Sequence, residues 1–126
     1  MRRRLFGLAH TDEVYYDCYD LGETRWEDRE AFLEDSIRWC LVRHRQIPDS
    51  EYIRVIIPAG AVYDETVAPD GGWRIWFGFS VYDERTDKDL LSGEASADGV
   101  YDEETGYLDV TSVVITHLEP LREAWA

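Results

Sequence analysis

Hydrophobic and polar positions along the chain fall into two regimes. Between Thr24 and Arg45, Trp26, Leu33, Ile37, Cys40, Leu41 and His44 recur at three- and four-residue steps, the spacing that gathers side chains into one stripe of a helix. Thr24-Arg25-Trp26-Glu27 matches a capping box, in which the Thr hydroxyl and Glu carboxylate satisfy free amides at a helix start. Pro48-Asp49-Ser50 ends the segment, so the pattern predicts one amphipathic helix over residues 25–45. Its acids (Glu27, Asp28, Glu30, Glu34, Asp35) precede Arg38, Arg43 and Arg45, an order that suits the helix dipole.

The rest of the chain reads as antiparallel β. Trp73, Ile75, Phe77, Phe79 and Val81 fall on one face at period two, with Arg74, Trp76, Gly78, Ser80 and Tyr82 on the other. Tyr52–Ile57 is a β-branched run extending toward Tyr63, with Pro58-Ala59-Gly60 as a bulge or break inside it. Ala68–Gly72 and Glu84–Asp89 read as turns. A weaker strand lies within Leu90–Tyr101, carrying Asp98-Gly99 as a bulge or second turn, and Glu103–Gly106 makes a hairpin into Tyr107–Thr116. Leu5–Tyr19 adds an N-terminal strand, which Leu21-Gly22-Glu23 breaks. The stripe needs a sheet and the sheet needs a cover. The expected fold is therefore a single α+β domain over 1–126, one helix on a four- to five-stranded antiparallel meander in two layers.

Composition narrows the classes of partner. The 126 residues hold 27 Asp and Glu against 13 Lys and Arg, a net charge of −14, with 44% hydrophobic residues that mark a globular chain rather than an acidic tail. Such a surface opposes direct nucleic-acid binding, which needs cations on phosphate, and a polybasic membrane anchor. Residues 1–60 carry 9 Arg against 12 acids, whereas residues 61–126 carry 4 Lys and Arg against 15 acids. Lys88 is the one lysine and Asn is absent, so salt adaptation is an alternative source of the acidity. Met1-Arg2-Arg3-Arg4 followed by Leu5–Ala9 is too short for a signal peptide, and no 18-residue apolar run follows, so cytoplasmic residence is expected. Cys18 and Cys40 are expected as buried reduced thiols.

Val-Tyr-Asp-Glu occurs at 62–65, 81–84 and 100–103, at a spacing of 19 residues. One reading has each copy ending a strand and starting a turn. The other has the copies displaying carboxylates beside phenol rings for a basic partner, as an acidic band rather than one patch, because successive strand tips alternate ends.

Chemical motifs are sparse. Cys40 and His44 lie four apart on the predicted helix, with Cys18, His10 and His117 as further metal ligands, yet no closed ligand pair accompanies them. The Asp83-Glu84…Asp87-Lys88-Asp89 loop lacks the alternation and central glycine of a calcium loop. No Gly-x-Ser-x-Gly elbow or phosphate loop is present. No catalytic residue, metal or cofactor is therefore expected.

Three classes stay open. The first is an acidic protein-binding inhibitor or adaptor, most sharply a nucleic-acid-mimicking antagonist of the anti-restriction, anti-CRISPR or immunity-protein type. Its target would be a basic partner such as a nucleic-acid-binding effector or nuclease, reached by electrostatic steering. Its candidate contact residues are Asp64, Glu65, Asp83, Glu84, Asp87, Asp89, Asp102, Glu103 and Glu104, with Tyr63, Tyr82, Tyr101 and Trp76 as anchors. The second is a salt-adapted soluble accessory domain. The third is a small enzyme or ligand binder with a helix–sheet pocket, His44 or His117 at its mouth. Trp76 is either exposed for binding or covered by the N-terminal strand or the Leu118–Trp125 segment; an uncovered face or edge also suits a homodimer.

Overall fold

The computed structural model describes residues 12–120; residues 5–11 of the expected N-terminal strand, His10, and the 121–126 part of the C-terminal segment lie outside them. In chain order come β1 (Asp12–Asp17), β2 (Gly22–Arg25), a 3-10 turn (Trp26–Asp28), α1 (Arg29–Arg43), β3 (Ile53–Ile56), β4 (Val62–Val67), β5 (Gly72–Asp83), β6 (Lys88–Asp102) and β7 (Tyr107–Pro120). All seven strands join one antiparallel sheet of order β1-β7-β6-β5-β3, with β2 also on β7 and β4 also on β5. The β5-β6-β7 meander is thus the centre, and each margin is made of two short strands in place of one. This explains why seven strands appear where four or five are expected. Pro58–Gly60 divides one margin, and Cys18–Leu21 divides the other.

The predicted face of β5 is buried throughout: Trp73, Ile75, Phe77, Phe79 and Val81 are all closed to solvent, beside Ala95 and Ala97 of β6 and Val110, Val113 and Ile115 of β7. Leu33, Ile37, Cys40 and Leu41 of α1 close over them, with no exposed surface. Trp26 and His44, the ends of the predicted stripe, are only half-buried. Trp26 packs on Tyr101 at 4.3 Å between rings and His44 stacks on Tyr16 at 4.1 Å.

The helix starts later than the pattern predicts. Thr24 is not a cap: it pairs with Leu108 in β2, and its hydroxyl bonds the Arg25 carbonyl at 3.2 Å. Sheet pairing of Gly22–Arg25 with β7 holds the backbone extended through Arg25, and Trp26 N–H donates to the Gly106 carbonyl, so the first turn is 3-10. The far end closes on Arg43, with His44 N–H bonded to the Cys40 carbonyl and Arg45 in a left-handed conformation at φ 59°.

Glycines in the meander are spaces for aromatic rings. Gly99 faces the Trp73 indole and Gly93 the Phe79 ring on the core side, while Gly78 lies under Tyr63 on the opposite face. The expected irregularity at Asp98-Gly99 is a bulge, with Thr111 as the extra residue on β7. A side chain at Gly93 would collide with the His117 carbonyl and stand 2.6 Å from the Phe79 ring. Gly93→Ala is therefore expected to cost about 2–3 kcal/mol by overpacking. Gly106→Ala, in open space at φ 77°, is expected to cost only about 1 kcal/mol through its left-handed backbone. Urea unfolding of both variants checks the order.

Candidate functional site on the open sheet face

The register defines what the second face of the sheet displays. One row across it runs Asp17, Val114, Ser96, Trp76 and Asp64; the next runs Glu13, His117, Glu94 and Gly78; on the other side lie Ser112, Asp98, Arg74 and Thr66. Beyond these, Glu23 of β2 stands directly opposite Asp109 of β7, a like-charge pairing that disfavours the strand pair. None of the described residues covers the centre of this face. Trp76 is 47% exposed and Tyr63, 50% exposed, meets it edge-on at 4.9 Å.

The three Val-Tyr-Asp-Glu copies are not equivalent. Copies 81–84 and 100–103 each end a long strand and open a hairpin of the same kind, β5–β6 and β6–β7 respectively. Asp83 Oδ1 accepts Arg85 N–H and Asp102 Oδ1 accepts Glu104 N–H, both at 2.9 Å. In each loop the residue four beyond the aspartate returns its N–H to the aspartate carbonyl in a left-handed conformation, Asp87 at φ 57° and Gly106 at φ 77°. The copy at 62–65 instead begins β4 and makes no turn. The faces differ too: Val81 is in the core and Tyr82 on the open face, whereas Val100 is exposed and Tyr101 packs inward. Two copies are thus hairpin signals, and the shared aspartate is the turn-forming residue.

This sorts the sequence-predicted contact residues. Trp76, Tyr63, Asp64, Tyr82 and Asp89 share the open face. Asp87, Glu103 and Glu104 are exposed in the hairpin loops at opposite ends of the sheet, and Asp102 closes its own turn. Glu84 is bridged to Arg54 at 3.1 Å. Asp83 is buried; the Arg85 guanidinium, then backbone N–H groups, hold its carboxyl below the usual range. Tyr101 packs under Trp26.

Glu65 lies on the helix side. Its carboxylate accepts Arg29 Nε at 2.7 Å, Arg29 Nη2 at 3.1 Å and Trp73 Nε1 at 2.7 Å, while the Arg29 guanidinium stacks 4.0 Å over Trp26. Burial pushes the Glu65 pKa up, but these donors outweigh it and leave the group lower than usual. The thiols of Cys18 and Cys40 are buried and free, both directed at the Tyr16 carbonyl, at 3.8 and 3.9 Å. Their mutual hydrogen bond and burial raise the Cys18 pKa. His44 is committed to Tyr16, and among the described residues no group of three His, Cys, Asp or Glu is placed to hold a metal.

A groove of about 230 Å³ opens on this face beside Tyr63. Its floor is two cross-strand rows, Ser80-Ser92-Glu119 and Gly78-Glu94-His117, and Pro58 and Ala61 form a wall where the β3–β4 margin breaks. His117 Nδ1 is 3.0 Å from Thr116 Oγ1 and 3.5 Å from Glu94 Oε1, and Ser92 Oγ donates to Glu119 at 3.5 Å. Sequence reasoning reached His117, and Ser80 as a position on this face, but not Glu94, Glu119 or Ser92. Two signals pointed there: the open-face parity of Ser80, and the break at Pro58-Ala59-Gly60. The pairing of β5, β6 and β7 was needed to bring them together. No family model, curated protein or solved structure matches the chain, and no described helix is long and apolar enough to cross a membrane.

Because Glu65 is held low in the folded chain, its stabilising contribution is complete above the ordinary glutamate pKa of about 4.3 and fades as pH falls through its lower folded value. Glu65→Gln is expected to lose about 2 kcal/mol at neutral pH, the size of a charged hydrogen-bond deficit. The gap to the parent protein should shrink as the buffer is acidified below the ordinary carboxylate range, which urea titrations across pH will read.

Proposed function

We propose that the chain is a non-enzymatic protein-binding domain whose open sheet face docks a basic partner. The observation that carries this reading is the exposed Trp76–Tyr63 pair at the centre of a face rowed with carboxylates. Aromatic anchors of this kind supply most of the energy of an interface. Asp17, Asp64, Glu94, Asp109 and Glu119 around them supply steering and complementarity to Lys and Arg. The finer form is an inhibitor that occupies a cationic nucleic-acid cleft, supported by the net charge of −14 and by the concentration of acids after residue 60. Glu65, Asp83 and Tyr101 serve the fold in this reading, not the contact.

The test is a capture experiment from source extract at low and high salt, with the retained protein identified and its affinity measured. A basic partner held at low salt and released at high salt is expected. Trp76→Ala should weaken it by about thirtyfold, or about 2 kcal/mol, and Asp64→Asn with Asp109→Asn should slow association. Retention indifferent to these variants, or no retention at low salt, overturns the reading. Competition by duplex DNA for the purified partner is expected of the inhibitor form, and its absence overturns that form alone.

A further inference from the structure

The groove beside Tyr63 has a chemistry of its own within the open face. Glu94 and Glu119 sit on neighbouring strands in diagonal register, because Glu94 pairs with His117 and Ser92 with Glu119. Diagonal positions place side chains about 7–8 Å apart, a gap that one donor group can bridge. Both carboxylates are fixed from one side: His117 stands against Glu94 at 3.5 Å and Ser92 against Glu119 at 3.5 Å. The Tyr63 ring flanks the groove, kept there because Gly78 has no side chain; a Cβ would come within 2.5 Å of the Tyr63 hydroxyl. Ser80 and Ser92 add hydroxyl acceptors to the floor. Two carboxylates exclude an anion, and a volume of about 230 Å³ falls below the roughly 300 Å³ at which small-molecule pockets begin.

From this arrangement we infer that the groove is a receptor for an arginine guanidinium presented by the basic partner. A planar guanidinium can donate in two directions at once, to Glu94 and to Glu119, and lay its face on an aromatic ring. A lysine ammonium, a point donor without a flat face, would use the groove less fully. The inference rests on the protein-binding reading for the source of the guanidinium, whereas the chemistry of the groove does not depend on it.

The probes are butylguanidine, a guanidinium on a butyl chain, butylurea as its neutral counterpart, and butylamine for the ammonium. Binding is followed by NMR of the full chain at the Tyr63, His117 and Trp76 resonances. Saturable shifts with a millimolar dissociation constant are expected for butylguanidine, weaker ones for butylamine and none for butylurea. Glu94→Gln and Glu119→Gln should each weaken butylguanidine by about tenfold, the loss of one charge-assisted hydrogen bond. Absence of saturable butylguanidine shifts overturns the proposal, as do shifts that persist unchanged in the double variant. If Trp76→Ala releases the partner while butylguanidine fails to bind, the face reading stands and the groove falls. If butylguanidine binds and also displaces the partner, both stand. Butylguanidine binding without any partner retention keeps the guanidinium site, makes its source a free ligand and overturns the docking face.

Discussion

Among the described residues a single α-helix has to keep one face of a seven-stranded sheet dry. Its fifteen residues span about 22 Å at 1.5 Å per residue, and the five positions across the sheet span about 19 Å at 4.8 Å per strand. The helix can therefore cover the sheet only by running across it, and it does so, touching β3 at one margin and β2 and β7 toward the other. What its buried residues cannot reach is closed by side chains at its ends: Trp26 over Tyr101, with Arg29 tied to Glu65, which also holds the Trp73 indole, and His44 over Tyr16. The interior between is filled by large side chains set over small ones, with Gly99, Ala97 and Ala95 of β6 opposite Trp73, Ile75 and Phe77 of β5.

Among the described residues the other face of the sheet has no helix, and the charge follows from that. Arg25, Arg29, Arg38, Arg43, Arg54, Arg74 and Arg85 each meet a carboxylate, several of them helix-to-strand or turn contacts. The exposed members of this set add little stability, but they neutralise acids locally. Much of the excess is left on the strands and hairpin loops, where Glu23 faces Asp109 and Asp17, Asp64 and Glu119 rim the aromatic centre. A cation arriving there relieves repulsion that the fold itself leaves standing.

The interior of this protein was legible from its alphabet of apolar positions. The odd-numbered face of β5 and the Leu33-Ile37-Cys40-Leu41 stripe are strong periodic signals, and both sit in the core. Thr24 was misread because a capping box and a strand end use the same residues; a long-range pairing, Thr24 with Leu108, decides between them. The Val-Tyr-Asp-Glu repeat was legible as a turn signal for two copies, but its face was not. Odd spacing and bulges reverse which of its side chains point inward, and bulges are set by partners elsewhere in the sheet. Glu65 looked like a surface acid for the same reason: its two donors are 36 and 8 residues away. The groove is the extreme case, since its floor is assembled from three strands and its wall from a fourth segment.

The divided margins bear on how this protein can associate with copies of itself. An uninterrupted outer strand is a template on which another chain can zip, residue by residue. Among the described residues neither margin offers a strand longer than six residues, and both are dislocated by irregular register, between Glu13 and Tyr16 on one side and Val62 and Asp64 on the other. The same interruptions that give the molecule its extra strands therefore cap sheet growth in both directions. A β-rich chain with long central strands is spared the runaway, filament-like stacking that those strands would otherwise invite.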